Sequence, residues 1–159
     1  MNAASKDQAP KEPGNRPPRR RARELVVQGL YQWRVGGQDE AAIEAHLAED
    51  PEFARADRNL FLTLLRGILA RHEALKVELE PHLDRPFDEL SPVESGILLL
   101  ATHEFAHHPE TPYRVVLNEA IELAKVFGGT DGHKYVNGVL DKLAAKLRPR
   151  EVQARRDGK

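Results

Sequence analysis

The sequence predicts an all-α protein, a bundle of about six or seven helices in one domain. Every convincing hydrophobic periodicity has the three- and four-residue spacing of a helix, and no alternating strand of useful length is present. A chain of 159 residues is long enough to bury one core but too short for two ordinary domains. The predicted loops are short, so consecutive helices are expected to pack antiparallel.

The first half of the chain contains two or three predicted helices after the N-terminal arm. An apolar stripe from Ala22 to Trp33 predicts the first helix, which Gly36-Gly37 ends. A short helix is expected over residues 41–48. The leucine-rich stripe over residues 60–83 predicts one long helix or two, with a break near Asp84-Arg85-Pro86.

The segment SPVE, residues 91–94, has the residue types that begin a helix. Ser91 can cap the helix, proline is tolerated in the first turn, and the Glu94 side chain can reach back to the cap amide. The segment that follows, GILLLATHEF, is apolar on more than one side. It is therefore predicted to be the central and most buried helix.

Two further helices are predicted near the C-terminus. The apolar stripe over residues 116–127 forms the first, which Gly128-Gly129 ends. Asp131 is predicted to cap the second, whose core face extends to Leu147 before Pro149 stops it.

The two ends of the chain differ from the middle in composition. Residues 1–18 contain four prolines and no bulky apolar side chain after Met1, so they are expected to form a disordered, basic and Pro-rich arm. Residues 148–159 are polar and mostly basic and are expected to form a flexible tail. The helical domain is thus predicted to cover residues 19–147.

Composition excludes several classes of protein. The absence of cysteine excludes disulfides, thiolate metal sites and a catalytic thiol. No apolar run approaches the roughly 20 residues that span a bilayer, and the N-terminus lacks the apolar stretch of a secretory signal. We expect a cytoplasmic protein without a membrane role.

One string matches a catalytic motif. HEFAH, residues 103–107, fits the H-E-x-x-H pattern in which two histidines bind zinc and the glutamate is a general base. No strand is present to hold a peptide beside the metal, and a short link with two prolines follows. We favour His103, His107 and His108 as solvated residues of a last helical turn. We predict no metal, no cofactor and no catalytic residue; a zinc metallopeptidase remains the alternative.

The stretch PPRRRARE suggests a different function. The formal net charge is -1, yet seven of the Lys and Arg residues and only two carboxylates lie in the first 23 residues. Cations at a helix N-terminus interact unfavourably with the helix dipole. We therefore expect these arginines to have a function other than stabilising the helix. Arg20 and Tyr31 lie eleven residues apart, within about 20° on one helix face and about 16 Å along its axis.

Arginine contacts phosphate and stacks on bases, and a tyrosine ring offers a platform for an unpaired base. The surface is therefore predicted to bind single-stranded RNA. Two alternatives stay open: the arginines are a solvated helix start, or the chain is a helical module that binds only protein.

Three stretches resemble the NusB family of bacterial transcription antitermination factors: RRRARELVVQGLYQW, DELSPVESGILLLATHEF and PYRVVLNEAIELAKVFGGTDGHKYVNGVLDKL. The resemblance extends from about residue 19 to residue 147. It implies two packed three-helix subdomains and no enzymatic activity. It also implies a partner, the small-subunit ribosomal protein NusE, and joint binding of the boxA RNA element as it emerges from RNA polymerase. Such a complex suppresses premature termination, notably on ribosomal RNA operons.

The resemblance also assigns site residues. It places near the RNA Arg19, Arg20, Arg21, Arg23, Tyr31, Asp131, Lys134 and Tyr135, and it places Glu94 at the surface that faces NusE. Asn137 and Gly138 are interpreted as structural, because glycine permits close helix approach and asparagine can satisfy a buried backbone group. Capping roles for Asp131 and Glu94 remain alternatives, and the sequence leaves open whether the chain is a monomer or a homodimer.

Overall fold

A computed structural model describes residues 16–127 and 131–158 of the chain. This part contains the helices α1 (Pro18–Gly36), α2 (Glu40–Leu47), α3 (Arg58–Leu79), α4 (Pro92–His107), α5 (Tyr113–Phe127), α6 (Gly132–Leu147) and α7 (Pro149–Arg156). Short 3-10 turns occupy Pro51–Arg55, Glu80–His82 and Phe87–Glu89. Most of the predicted arm, residues 1–15, and the predicted stop at Gly128-Gly129 lie outside the described residues.

The helices form two packed three-helix units, α1–α3 and α4–α6. Helix α1 packs against α2, α3 and α4, whereas α4 packs against α1, α3, α5 and α6. Helix α4 buries every residue from Ser95 to Phe105. The predicted all-α fold and the predicted central helix are confirmed. None of the helices over 16–127 and 131–158 has the length and apolarity needed to cross a membrane.

Local signals fix the ends of the helices. Gly37 adopts a φ of 68°, and its N–H donates to the Trp33 carbonyl at 3.2 Å, which ends α1 as the sequence predicts. Ser91 Oγ accepts from the Glu94 N–H at 3.0 Å and thereby caps α4. Of the two alternatives for the leucine-rich stripe, the structure shows one long helix, α3, followed by a short 3-10 turn.

The chain after Leu147 differs from the flexible tail that its composition predicts. Pro149 begins a new helix, α7, and Val152 on that helix is buried. The buried Arg148 guanidinium donates to the carbonyl oxygens of Phe105 (2.8 Å), His108 (3.0 Å), Thr111 (3.0 Å) and Glu104 (3.1 Å). The acceptors are carbonyl oxygens in the last turn of α4 and in the segment that follows it. Arg148 is therefore part of the folded structure and does not belong to a solvent-exposed tail.

Glu151 extends this attachment to the next helix. One carboxylate oxygen accepts from Arg148, and the other accepts from the Tyr113 backbone N–H at 2.9 Å, at the start of α5. A carboxylate at a helix N-terminus satisfies an otherwise unpaired N–H group. Helix α7 is therefore held to α4 and α5 by polar contacts in addition to Val152.

Candidate nucleic-acid interface

The four arginines at the start of α1 differ in their exposure to solvent. The Arg19 side chain is 53% exposed, and its Nη1 lies 3.8 Å from Asp57 Oδ2. The Arg20 side chain is 34% exposed and donates two hydrogen bonds to the Glu119 carboxylate, at 3.1 and 3.0 Å. Arg21 and Arg23 are each only 2% exposed. The surface thus presents Arg19 and Arg20.

Arg21 and Arg23 form ion pairs with acidic residues from distant parts of the sequence. Arg21 pairs with Glu52, and Arg23 donates to both oxygens of Glu104 at 2.8 and 2.9 Å. Burial favours loss of the Arg23 proton, but the hydrogen bonds and charge of Glu104 outweigh it and raise the pKa of Arg23 overall. These carboxylates offset the unfavourable position of cations in the first turn of α1. RNA binding by Arg21 and Arg23 stays a prediction.

Tyr31 lies beside the start of α4. Its side chain is 44% exposed and lines a shallow cavity of about 230 Å³ between α1, Val93 and Phe127. Val93 precedes Glu94, and Phe127 is the last residue of α5. Tyr31 therefore shares a cavity with the residue that precedes Glu94, the residue that the family resemblance assigns to the partner protein.

Glu94 connects α4 to the beginning of α6. Its Oε2 lies 3.3 Å from the position that a Cβ atom on Gly132 would occupy. The sequence predicts that this side chain reaches back to the cap amide of its own helix; the carboxylate lies instead beside the N-terminus of α6. A negative charge is favourable there because it faces the positive end of the helix dipole.

Asp131 and Lys134 form an exposed pair at the same helix end. Asp131 makes no side-chain cap to α6, so the predicted capping role is wrong. Its Oδ1 lies 3.5 Å from Lys134 Nζ, and both side chains are largely exposed. The backbone carbonyl of Asp131 accepts from the N–H groups of Lys134 and Tyr135 instead.

Tyr135 is half-buried and is held by the segment that follows α3. The Arg85 guanidinium lies 5.0 Å from the centroid of its ring, and the Asp84 N–H donates to its hydroxyl at 3.4 Å. Burial raises the pKa of Tyr135, so its hydroxyl remains protonated at neutral pH. The sequence identified Arg85 only as part of a helix break, and nothing local indicates its contact with a ring fifty residues away.

These contacts join Tyr31, Glu94, Asp131, Lys134 and Tyr135 into one surface, which we call the α1/α4/α6 surface. Tyr31 reaches the start of α4, Glu94 reaches the start of α6, and the other three residues lie at or just before the first turns of α6. Arg20 extends this surface along α1, on the same helix face as Tyr31 and about 16 Å from it. Arg19 lies about 120° from Tyr31 around the helix, beside Asp57. The structure thus brings most of the predicted site together.

The histidine-rich end of α4 differs from its predicted environment. His103 is 1% exposed, so the prediction of a solvated residue is wrong for it. Its imidazole packs on α3, where a Cβ on Gly67 would lie 2.6 Å from the ring. Glu104 is bound to Arg23 and is not available as a general base. Within residues 16–127 and 131–158, no group of three His, Cys, Asp or Glu side chains is arranged to hold a metal ion.

Stability should fall below neutral pH because His103 is buried as the neutral imidazole. Burial, and then the nearby His108, His107 and Arg71, lower the pKa of His103 to about 3. The unfolded chain binds a proton on this side chain near pH 6.5, whereas the folded chain does not. The stability that the neutral His103 contributes to the folded chain is present above about pH 6.5 and is lost as the pH falls towards 3.

We therefore expect the free energy of unfolding to decrease by about 1 kcal/mol between pH 7 and pH 5.5 on account of His103. Urea unfolding at both pH values measures the change, and His103→Asn is the control. An equally large decrease in His103→Asn would assign the pH dependence to other groups.

Two motif residues on α6 do not have the structural roles predicted for them. A Cβ on Gly138 would meet no atom within 4 Å, so this glycine does not permit close helix approach. Asn137 is half-buried and lines an open cavity of about 560 Å³ with Asn118 and Arg155. The sequence predicts that Asn137 contacts a buried backbone group. In the structure it lines a surface cavity instead.

The fold and the α1/α4/α6 surface define a class of protein: a small all-α protein that carries exposed basic and aromatic side chains on one surface. A family model gives the particular family, since it matches residues 20–145 of this chain. The chain belongs to the NusB family.

Related sequences cover most of the chain. The transcription antitermination protein NusB of Dechloromonas aromatica (strain RCB) is 64% identical over 141 residues, which are 89% of this chain and 86% of that protein. The protein of the same name from Azoarcus sp. (strain BH72) is 60% identical over 139 residues, 87% of this chain and 90% of its own.

Solved structures share the fold. T. maritima NusB superposes with a TM-score of 0.75 at 29% identity, over 86% of this chain and 97% of that one. A crystal structure of the antitermination factors NusB and NusE in complex with dsRNA contains a chain with a TM-score of 0.72 at 22% identity, covering 80% of this chain and 96% of its own.

Proposed function

We propose that this chain is a cytoplasmic transcription antitermination factor that binds boxA-type single-stranded RNA together with NusE. It acts in the antitermination complex on RNA polymerase and suppresses premature termination, notably in ribosomal RNA operons. The observation that carries the proposal is the α1/α4/α6 surface, which collects exposed aromatic and basic side chains in a chain of this family. The names of the relatives, and the solved complex of NusB, NusE and dsRNA, support it.

The side chains of this surface divide into phosphate contacts and base contacts. Arg19, Arg20 and Lys134 carry the exposed positive charges that can contact the RNA backbone. Tyr31 and Tyr135 supply aromatic rings on which unpaired bases can stack. The Asp131 carboxylate can accept a hydrogen bond from a base amino group.

Arg21 and Arg23 contribute to this site through the position of α1. Arg21 ties the helix to Glu52, and Arg23 ties it to Glu104 on the central helix. Both side chains are buried, so direct RNA contact would first require these ion pairs to break. We infer that they hold the helix that presents Arg19 and Arg20 to the RNA.

Glu94 contacts NusE beside the RNA in this proposal. Its carboxylate lies at the start of α6, next to the exposed Asp131 and Lys134 pair. A NusE molecule bound there would adjoin both the chain and its RNA, which accounts for joint binding. Charged residues at such an interface mainly set specificity and the rate of association.

Replacing Arg19 and Arg20 by Gln should weaken RNA binding without unfolding α1, because Gln is a good helix former. If each arginine meets one phosphate, the slope of log affinity against log salt should flatten by about 0.7 per contact, about 1.4 in total. Affinity should fall for boxA and scrambled RNA alike, since phosphate contacts carry no sequence information. Titrations at several salt concentrations measure the slope.

Arg66 provides a matched control on another part of the surface. Like Arg20, it donates two hydrogen bonds to a glutamate, here Glu44 at 2.9 and 3.1 Å. Arg66→Gln removes the same kind of ion pair and should leave the salt slope unchanged. If the Arg19 and Arg20 double variant kept the wild-type slope, neither arginine would contact the RNA backbone.

A further inference from the structure

Neither a close packing contact nor a positive φ requires glycine at position 138. It lies inside α6, is exposed, and has no positive φ; a Cβ added there would meet nothing within 4 Å. Glycine in a helix interior costs about 1 kcal/mol relative to alanine. The absence of a side chain at this exposed helical position leaves the space beside the helix open.

That space is a cavity between α6 and the segment that follows α3. Its volume is about 340 Å³; residues 81–84 form one wall, and Tyr135, Gly138 and Lys142 form the other. Cavities that hold small ligands start at about 300 Å³. A side chain at position 138 would reduce the room in this cavity.

The cavity lies on a basic face of α6. Lys134, Lys142 and Lys146 stand at multiples of four residues from Gly138, so all of them share its side of the helix. Lys134 pairs with Asp131 at 3.5 Å, and Lys146 pairs with Glu78 at 3.3 Å. Lys142 is exposed and makes no ion pair with the residues of 16–127 or 131–158.

The opposite wall carries a neutral histidine. Burial, followed by the charges of Lys146 and Lys142, lowers the pKa of His82, so its ring is uncharged at neutral pH. Its Nε2 is buried and forms no hydrogen bond with the described part of the chain. The cavity thus combines the uncharged His82 ring and apolar side chains with cationic side chains at its edge, and the carboxylate in its wall, Asp84, is paired with Arg85.

We propose that this cavity is a subsite for one unpaired RNA base, with Tyr135 and Lys134 leading into it and Lys142 contacting the adjoining phosphate. The proposal rests on the proposed function and extends the RNA path from the α1/α4/α6 surface along α6. A flat base needs an aromatic or apolar slot, and its phosphate needs a cation, which is the combination present here.

Filling the cavity tests the subsite directly. Gly138→Leu places a large side chain in the cavity, from a position where the Cβ atom meets nothing within 4 Å, whereas Gly138→Ala adds only that one carbon. We expect Gly138→Leu to weaken boxA RNA binding in the presence of NusE by at least about fivefold, the loss that follows from displacing one stacked base. Gly138→Ala should bind within about twofold of wild type and be more stable.

Two controls separate this effect from changes in stability or charge. Gly36 is also exposed and helical, and a Cβ there would make only an ordinary contact, 3.8 Å from Gln38 Cγ, so Gly36→Leu should leave RNA affinity unchanged. Lys142→Gln should flatten the salt slope by about 0.7, whereas Gly138→Leu should leave the slope as it is. Circular dichroism confirms that each variant keeps its helix content.

Crosslinking provides a measurement on the wild-type chain. RNA containing 4-thiouridine should crosslink to residues 81–84 or 138–142, and Gly138→Leu should remove that crosslink. Wild-type affinity in Gly138→Leu, or crosslinks confined to α1, would overturn the subsite and leave the proposed function intact. A wild-type chain that binds no RNA with NusE would overturn both.

Discussion

Replacing Glu104 by Gln is expected to destabilise the protein by about 3–5 kcal/mol. The Arg23 and Glu104 side chains are almost completely buried and share two hydrogen bonds at 2.8 and 2.9 Å. Loss of the carboxylate would leave a guanidinium charge in the interior without an anionic partner, and such a charge is costly. Arg23→Met should have a comparable effect because it leaves the carboxylate unpaired.

Urea or guanidinium unfolding of each variant measures this effect. Removing both charges together, in Arg23→Met with Glu104→Leu, should recover much of the lost stability, since no unpaired charge then remains. Glu44→Gln, which breaks an exposed pair with Arg66, is the matched control and should change stability little. A Glu104→Gln variant within about 1 kcal/mol of wild type would show that the pair is not buried in solution.

Replacing Arg148 by Met is expected to cost about 3 kcal/mol and to release α7. The guanidinium donates to four carbonyl oxygens near the end of α4 and the start of α5, and it also pairs with Glu151. Methionine keeps part of the apolar volume but leaves the Phe105 and Thr111 oxygens without a donor, at about 1–3 kcal/mol for an unsatisfied group. The Glu104 and His108 oxygens still accept from the backbone N–H groups of His108 and Thr111. Glu151 would lose its anchor as well.

Two measurements check the role of Arg148. Denaturant unfolding gives the change in stability, and hydrogen exchange should show lost protection in α7 and at the start of α5. Arg150→Met is the control because Arg150 is exposed and lies on the same short helix. Equal protection of α7 in both variants would show that Val152 alone attaches this helix.

The helices were predictable because their signals are local. Apolar stripes define the helix faces, Gly37 ends α1, and the Ser91 cap begins α4. Helix α7 was missed because polar, basic composition predicts a tail. Its attachment depends on Arg148, whose acceptors lie about forty residues earlier in the chain.

The residue types of the candidate site were predictable from the sequence, but their ion pairs were not. The run of arginines indicates RNA, yet Arg20 pairs with a glutamate 99 residues away and Arg23 with one 81 residues away. No local pattern separates a buried, paired arginine from an exposed one, since the difference arises only when distant helices pack. The exposed glycine at position 138 is equally invisible to the sequence, because glycine within a helix usually marks close packing.

A titration of labelled boxA RNA with the chain, with NusE, and with both proteins tests most directly whether this chain is an RNA-binding antitermination factor. We expect the two proteins together to bind boxA RNA more tightly than either alone, with weaker binding to scrambled RNA and an affinity that decreases as salt increases. Binding by NusE that is unaffected by this chain, or equal affinity for boxA and scrambled RNA, would contradict it.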